Sequence, residues 1–182
     1  EKYGSYGYSY AFSDDTYVYY YNENELPMGF AYDKYILMGD EEGESDSITL
    51  MSMSESDRAN MLVRAIGLSE EQAETYGHLM EQVTNDDLVG LDYDGYVWDV
   101  NKRRTTAVTQ FEADGSGFTA SIELSSDNLV FFSVPYDKGW SATVNGEPVT
   151  VEKVSGGMCA VLCPAGESTI EFQYETPGLR AS

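Results

Sequence analysis

The sequence predicts an α+β chain whose C-terminal half is an antiparallel, jelly-roll-like β-sandwich, preceded by strands and a small two-helix segment. Three observations lead there. From Lys102 onward apolar residues recur at every second position, the period of a strand buried on one face. Between Ser56 and Tyr76 the period lengthens to that of a helix, behind serines placed as helix starts. Aromatic residues make up 13% of the chain, including 15 tyrosines, which favours sheet over disordered coil. With 182 residues the chain can bury a core without a metal or a disulfide. Stability therefore calls for no cofactor. Residues 1–101, an acidic Tyr-rich part with strands and helices, and residues 102–182, the sandwich, read as parts of one compact unit.

In chain order, Tyr17 to Tyr21 and Tyr32 to Met38 have the β-branched and aromatic content of strands, with a turn in "NENELP" between them. Two or three strands are expected here. The acidic, serine-bearing "GDEEGESDS", Gly39 to Ser47, has nothing to bury and reads as a loop. "SESDRANMLVRAIG" then places Met61, Leu62, Ala65 and Ile66 on one helical face, with Ser54 and Ser56 as candidate N-caps and Gly67 as the stop. A helix from about Ser56 to Ile66 follows. "SEEQ", Ser69 to Gln72, is a capping box that opens a second helix toward Tyr76, with a further turn around Leu79 to Val83.

The second half supplies about seven short strands. Phe118, Ala120, Ile122 and Leu124 alternate with polar residues in "FTASIEL", while "NLVFFSV" is continuously apolar and reads as a central strand. "ATVNGEPVTV" carries Asn145-Gly146, a pair that tolerates the positive φ of a type I′ hairpin turn. "STIEFQY" closes the series with Ile170, Phe172 and Tyr174 inward, and Ala107 to Ala113 and Met158 to Cys163 complete the set. Cys159 and Cys163 lie four apart on one strand, hence on one face but about 13 Å from each other, too far for a disulfide. Two free thiols are expected.

Charge and residue inventory exclude several functions. The net charge of −22 is uneven, −18 over residues 1–101 and −4 over 102–182. Such a surface repels nucleic acid and anionic lipid head groups and keeps the chain in solution. No apolar run is long enough to span a bilayer, and the chain reads as a segment of something longer. His78 is the only histidine, which leaves a Ser or Cys triad without context and a zinc site short of ligands. Carboxylate pairs for glycosidase chemistry are unavoidable among 32 acidic residues and so single out none. "DYDG", Asp92 to Gly95, opens like a calcium loop but lacks its later ligands, and a β-turn is the simpler reading. No catalytic, metal or cofactor residue is assigned.

One stretch remains. In "SVPYDKGWSATVNGEPVTV" Trp140 follows Gly139 at the start of a strand, in register with apolar Ala142 and Val144. That register predicts an indole largely buried between sheets, against the alternative of a stacking platform for a ligand. Tyr136, Asp137 and Lys138 occupy the connection before it, where loops carry function. Together Tyr136, Asp137, Lys138 and Trp140 form the candidate ligand-binding set.

Phe131 to Leu179, with its series "PYDKGW", "VNGEPV", "PAG" and "TPG", resembles the C-terminal extracytoplasmic region of the YfhO family of bacterial multi-pass membrane proteins. "YYNENELPMGFAYDKYI" and "SDRANMLVRAIGL" are similar to that family's preceding segments. The resemblance implies a soluble outer domain on the extracytoplasmic face of the bacterial membrane. Its parent would be a lipid-linked-sugar glycosyltransferase whose chemistry lies in the membrane-embedded remainder of the chain, acting on cell-envelope polymers such as lipoteichoic acid. No catalytic residue carries over to this segment, and the segment alone is not expected to be an enzyme. The implied partners are the membrane-embedded remainder and a cell-envelope glycopolymer or lipid-linked sugar. A structural or protein-docking module without a ligand is the alternative.

Overall fold

The computed structural model describes residues 7–39 and 48–178, so the acidic loop predicted from Gly39 to Ser47 falls, Gly39 apart, outside the described residues. In chain order the elements are β1 (Tyr8–Ser13), β2 (Val18–Asn22), β3 (Gly29–Ala31), β4 (Lys34–Leu37), α1 (Glu55–Arg64), β5 (Ile66–Leu68), α2 (Glu70–Tyr76), β6 (Glu81–Gln82) and α3 (Tyr93–Thr105). Then follow β7 (Gln110–Ala113), β8 (Gly117–Leu124), β9 (Asn128–Pro135), β10 (Trp140–Val144), β11 (Glu147–Val149), β12 (Glu152–Val154), β13 (Met158–Cys163) and β14 (Gly166–Tyr174). Short 3-10 turns lie at Leu50–Ser52, Gly77–Leu79 and Asn85–Leu88.

The expected sandwich is present. A five-stranded sheet in the order β11-β10-β14-β8-β7 faces a four-stranded sheet in the order β12-β13-β9-β3, and every pairing within them is antiparallel. Between them lie Phe118, Ala120 and Ile122 of β8 and Ile170 and Phe172 of β14, against Phe132 of β9 and Val161 of β13. Cys159 and Cys163 point into this core as unbonded thiols. The Asn145-Gly146 turn has φ of 53° and 84°, as a type I′ hairpin requires. Tyr174, expected inward, sits at the end of β14 and is exposed, because the sheet runs out there, and Trp140 packs edge-on against its ring.

The second face of the four-stranded sheet is buried too. Phe30, Leu129, Phe131 and Ala160 pack against Ile66 and Leu68, which belong to a small parallel sheet in the order β5-β4-β6. This parallel sheet, with α1 as the crossover between β4 and β5, is not foreshadowed by the expected two-helix segment. Its far side holds a third apolar cluster of Ile36, Leu50, Met61, Ala65 and Val83, where α1 packs. Ile66 is therefore not the last residue of a helix. Helix α1, capped by Ser54, which accepts from the Asp57 N–H, ends at Arg64, and Ile66 to Leu68 continue as a wholly buried strand. The capping box at Ser69 and Gln72 opens α2 as predicted. The turn expected around Leu79 to Val83 is instead a 3-10 turn followed by β6. The predicted Tyr32–Met38 strand forms only as Lys34–Leu37, since Tyr32 and Asp33 are the link by which the chain passes from the four-stranded sheet to the parallel one.

Helix α3 corrects the β-turn reading of Asp92 to Gly95. Asp92 is its N-cap, and the carboxylate accepts from the Gly95 N–H at 3.0 Å. Position 101/102, where the sequence reading divides the chain, falls within this helix. Its buried residues are Asp99, Val100 and Arg103, two of them charged, so no apolar stripe marks it in the sequence. Arg103, 1% exposed, donates to the Ala31 carbonyl at 3.0 Å and to Asp33 Oδ1 at 2.6 Å, with its guanidinium 4.8 Å from the centre of the Tyr32 ring. Lys102 holds the other Asp33 oxygen at 2.6 Å. Arg64 of α1 donates to Asp99 at 2.9 Å and to the carbonyls of Asp87, Val89 and Gly90. Two arginines thus tie α3 to β3 and to α1.

Burial pushes the Asp33 carboxyl up, but the hydrogen bonds and charges of Lys102 and Arg103 outweigh it and hold it below its ordinary value. A depressed carboxylate stabilises the fold above its unfolded-state pKa, about 3.9, and that contribution is lost as pH falls through the lower folded value. Thermal melts should therefore show Asp33→Asn less stable at neutral pH and less sensitive to acid below about pH 4; an identical acid slope would place the effect elsewhere. Burial also pushes the thiols up, Cys159 to about 11 and Cys163 to about 12. A thiol reagent at neutral pH should react only slowly with the folded chain and should find both cysteines after denaturation.

Candidate functional site

The candidate residues lie on the connection from β9 to β10, at one end of the sandwich. Asp137 organises it. Its Oδ1 accepts from the Gly139 N–H at 2.8 Å and from the Tyr174 hydroxyl at 3.1 Å, and its carbonyl accepts from the Trp140 N–H at 3.2 Å. The hydrogen bond to Asp137 pushes the Tyr174 phenol up. Gly139 is required by its surroundings, because a Cβ there would lie 2.4 Å from the Glu175 carbonyl oxygen and 2.7 Å from the Tyr174 ring. That close approach draws the segment after β14 alongside the loop, where the Glu175 N–H donates to the Gly139 carbonyl at 3.0 Å.

Trp140 is half-buried, and the fully enclosed indole expected from its register is not what forms. One part of the ring packs edge-on against Phe118, Phe172 and Tyr174, with centroids 5.1 to 5.9 Å away. Its Nε1–H donates to the Pro135 carbonyl at 3.1 Å, which fixes the ring's orientation. The rest borders a hollow of about 310 Å³, lined also by Lys138, Ser141, Glu175, Thr176 and Pro177. Of the other candidates, Asp137 and Lys138 are exposed as expected for a rim. Lys138 makes no ion pair among the described residues. Tyr136 is not part of the hollow's lining: it is half-buried on the sandwich core, and its N–H donates to the Gly157 carbonyl. The structure thus brings Lys138 and Trp140 together, assigns Asp137 to holding the loop and Tyr136 to packing. Glu175 and Thr176 are the residues that reasoning from local pattern missed, because only the Trp140–Tyr174 register of β10 on β14 brings them near.

A larger groove of about 660 Å³ opens elsewhere, between the β3–β4 link, the turn at Gly77–Leu79, the end of α3 and the β8–β9 connection. His78 stands exposed on it. Most of its polar groups are already engaged: Asp33 with Lys102 and Arg103, Glu81 with Lys34, and Asn128 with the Tyr32 carbonyl. His78 has no hydrogen bond to a serine among the described residues, so no triad forms there. Nor do three His, Cys, Asp or Glu side chains converge on a metal position among the described residues. The hollow at Trp140 alone of the two offers an accessible aromatic face, since Tyr32 in the groove is 2% exposed.

The two walls of that hollow come from "PYDKGW" and from "YETPG", the two ends of the series that carries the family resemblance. The profile of the family described as bacterial membrane protein YfhO matches residues 77–182. This chain belongs to the YfhO family. A similar relative is the uncharacterized protein YfhO of Bacillus subtilis (strain 168), 26% identical over 83 residues, which are 46% of this chain and 10% of the relative. The match thus spans about one tenth of that protein's length. No solved structure matches the chain. Among the described residues of this YfhO segment, no helix is long and apolar enough to cross a membrane.

The mixed environment of Trp140 sets its contribution to stability. Phe172, 1% exposed, should cost about 3–5 kcal/mol when replaced by alanine, the usual range for emptying a large core site. Trp140→Ala should cost roughly half as much, because part of its ring is already in contact with water. Chemical denaturation of the two variants checks the order; equal losses would mean that the indole is enclosed in solution.

Proposed function

We propose that this chain is a noncatalytic, extracytoplasmic accessory domain of a membrane-embedded, glycosyltransferase-like YfhO protein. In this reading it binds or positions a glycan, or the acceptor of a cell-envelope polymer such as lipoteichoic acid, beside the membrane-embedded remainder of the same polypeptide. The observation that carries the reading is the half-exposed Trp140 ring, locked in orientation and bordering a hollow with Lys138, Ser141, Glu175 and Thr176. An oriented aromatic face suits the apolar face of a sugar ring, and the hydroxyl, carboxylate and ammonium groups around it suit sugar hydroxyls. Among the described residues of that lining Lys138 is the one cation, which matters on a chain of net charge −22 approaching a phosphate-bearing polymer.

The edge-on packing of Trp140 on Phe118 and Phe172 favours a second reading, in which the ring only closes the end of the sandwich and the domain is a structural or docking module. Retention of the chain on immobilised lipoteichoic acid and on its deacylated glycopolymer separates the two. The glycan reading expects retention that Lys138→Ala weakens with an unchanged melting temperature, and that Trp140→Phe weakens with most of the packing kept. If the chain is not retained, or both variants are retained as well as the parent, the structural reading stands.

A further inference from the structure

Among the described residues, exposed aromatic side chains concentrate on the β1–β2 hairpin, far in sequence from the Trp140 hollow. Its strands pair antiparallel with a bulge between Tyr10 and Phe12, and no residue of β2 is buried. Tyr10, Tyr17 and Tyr21 are 62%, 64% and 66% exposed, and Phe12, Val18, Tyr19 and Tyr20 are exposed with them. Alternation along a strand puts successive side chains on opposite faces, so the consecutive exposed residues Val18 to Tyr21 show that both faces are open. Phe12 stacks on Tyr19 at 4.4 Å and Tyr10 meets Tyr20 at 6.4 Å, which holds the arm together without covering it. The base, in contrast, is fixed: Arg104 donates to the carbonyls of Glu23 and Glu25, and Asn24 donates to the Tyr93 hydroxyl. Among the described residues the hairpin is a two-stranded sheet with both edges open.

Those features define what fits it. A lone hairpin is marginal in water, and an unpaired edge without Lys or Pro is a template for another strand. Neither residue type occurs from Gly7 to Asn22. A bilayer core cannot satisfy open strand edges, and this arm carries Asp14 and Asp15 at its tip. A second copy is opposed by charge. Acid stands at both ends of the arm, Asp14 and Asp15 at the tip and Glu23 and Glu25 at the base, so either strand polarity would set carboxylates against carboxylates. We propose that the β1–β2 hairpin is a strand-addition site for an extended polypeptide segment with an uncharged, apolar or aromatic centre and basic residues at both ends. The backbone ladder would supply affinity, the tyrosine faces would grip alternate side chains, and the acidic ends would select the charge of the flanks.

The test uses the whole chain and two synthetic peptides that share one Val- and Tyr-rich centre, flanked on both sides by lysines in one and by glutamates in the other. The lysine-flanked peptide should bind and slow amide exchange within Tyr8–Ser13 or Val18–Asn22. The glutamate-flanked peptide should bind roughly tenfold more weakly at low salt, with the gap closing at high ionic strength. Combined Asp15→Asn, Glu23→Gln and Glu25→Gln should erase the preference while leaving Asp14, which accepts from the Thr16 and Tyr17 N–H groups, to hold the turn. Absence of protection by the lysine-flanked peptide would overturn the proposal. So would the same protection arising from self-association of the chain, or from phosphatidylcholine vesicles in place of peptide.

Discussion

Strand β9 is buried on both of its faces, and the architecture follows from how each face is covered. Phe132 and Val130 point into the sandwich, while Phe131 and Leu129 point toward the parallel sheet. A strand in this position cannot alternate, which is why Leu129 to Phe132 are four apolar residues in a row. It also means that the sandwich and the α/β layer share a wall. Removing either neighbour would leave half of β9 facing water, so the N-terminal elements stabilise the sandwich as much as they rest on it.

The polar ties lie where the apolar layers cannot reach. Arg103 is enclosed at the junction of α3, β3 and the β3–β4 link, and its bonds to the Ala31 carbonyl and Asp33 fix the point where the chain changes sheets. A buried guanidinium is tolerated because a carboxylate, a carbonyl and an aromatic face replace much of its water. Arg64 does the same for the segment before α3, gathering three backbone carbonyls that would otherwise face solvent as an untied loop. These contacts position; they do not add a large net stabilisation.

What could be read in advance follows from which signals are local. The sandwich strands were legible because their periods of two and the Asn145-Gly146 turn are written within a few residues. The helix starts at Ser54 and Ser69 were legible for the same reason. Helix α3 was not, since its inward residues are Asp99 and Arg103 and their burial depends on partners 35 to 72 residues away in sequence. Strand β5 was hidden by apolar residues that also suit a helix end. At the candidate site, the loop "PYDKGW" was legible, but the half-burial of Trp140 depends on how far β14 extends beside it, and the second wall of the hollow depends on register.

Strand β14 is the last of the described strands and yet lies in the middle of the five-stranded sheet, between β10 and β8. Until it arrives, β8 with β7 and β10 with β11 are two separate hairpins with no common sheet. Strand β3 likewise waits about a hundred residues for β9. These pairings close only after both segments are made, and contacts between distant segments slow folding. Apolar strands β8 and β10 therefore cannot share a sheet until β14 has been synthesised after them.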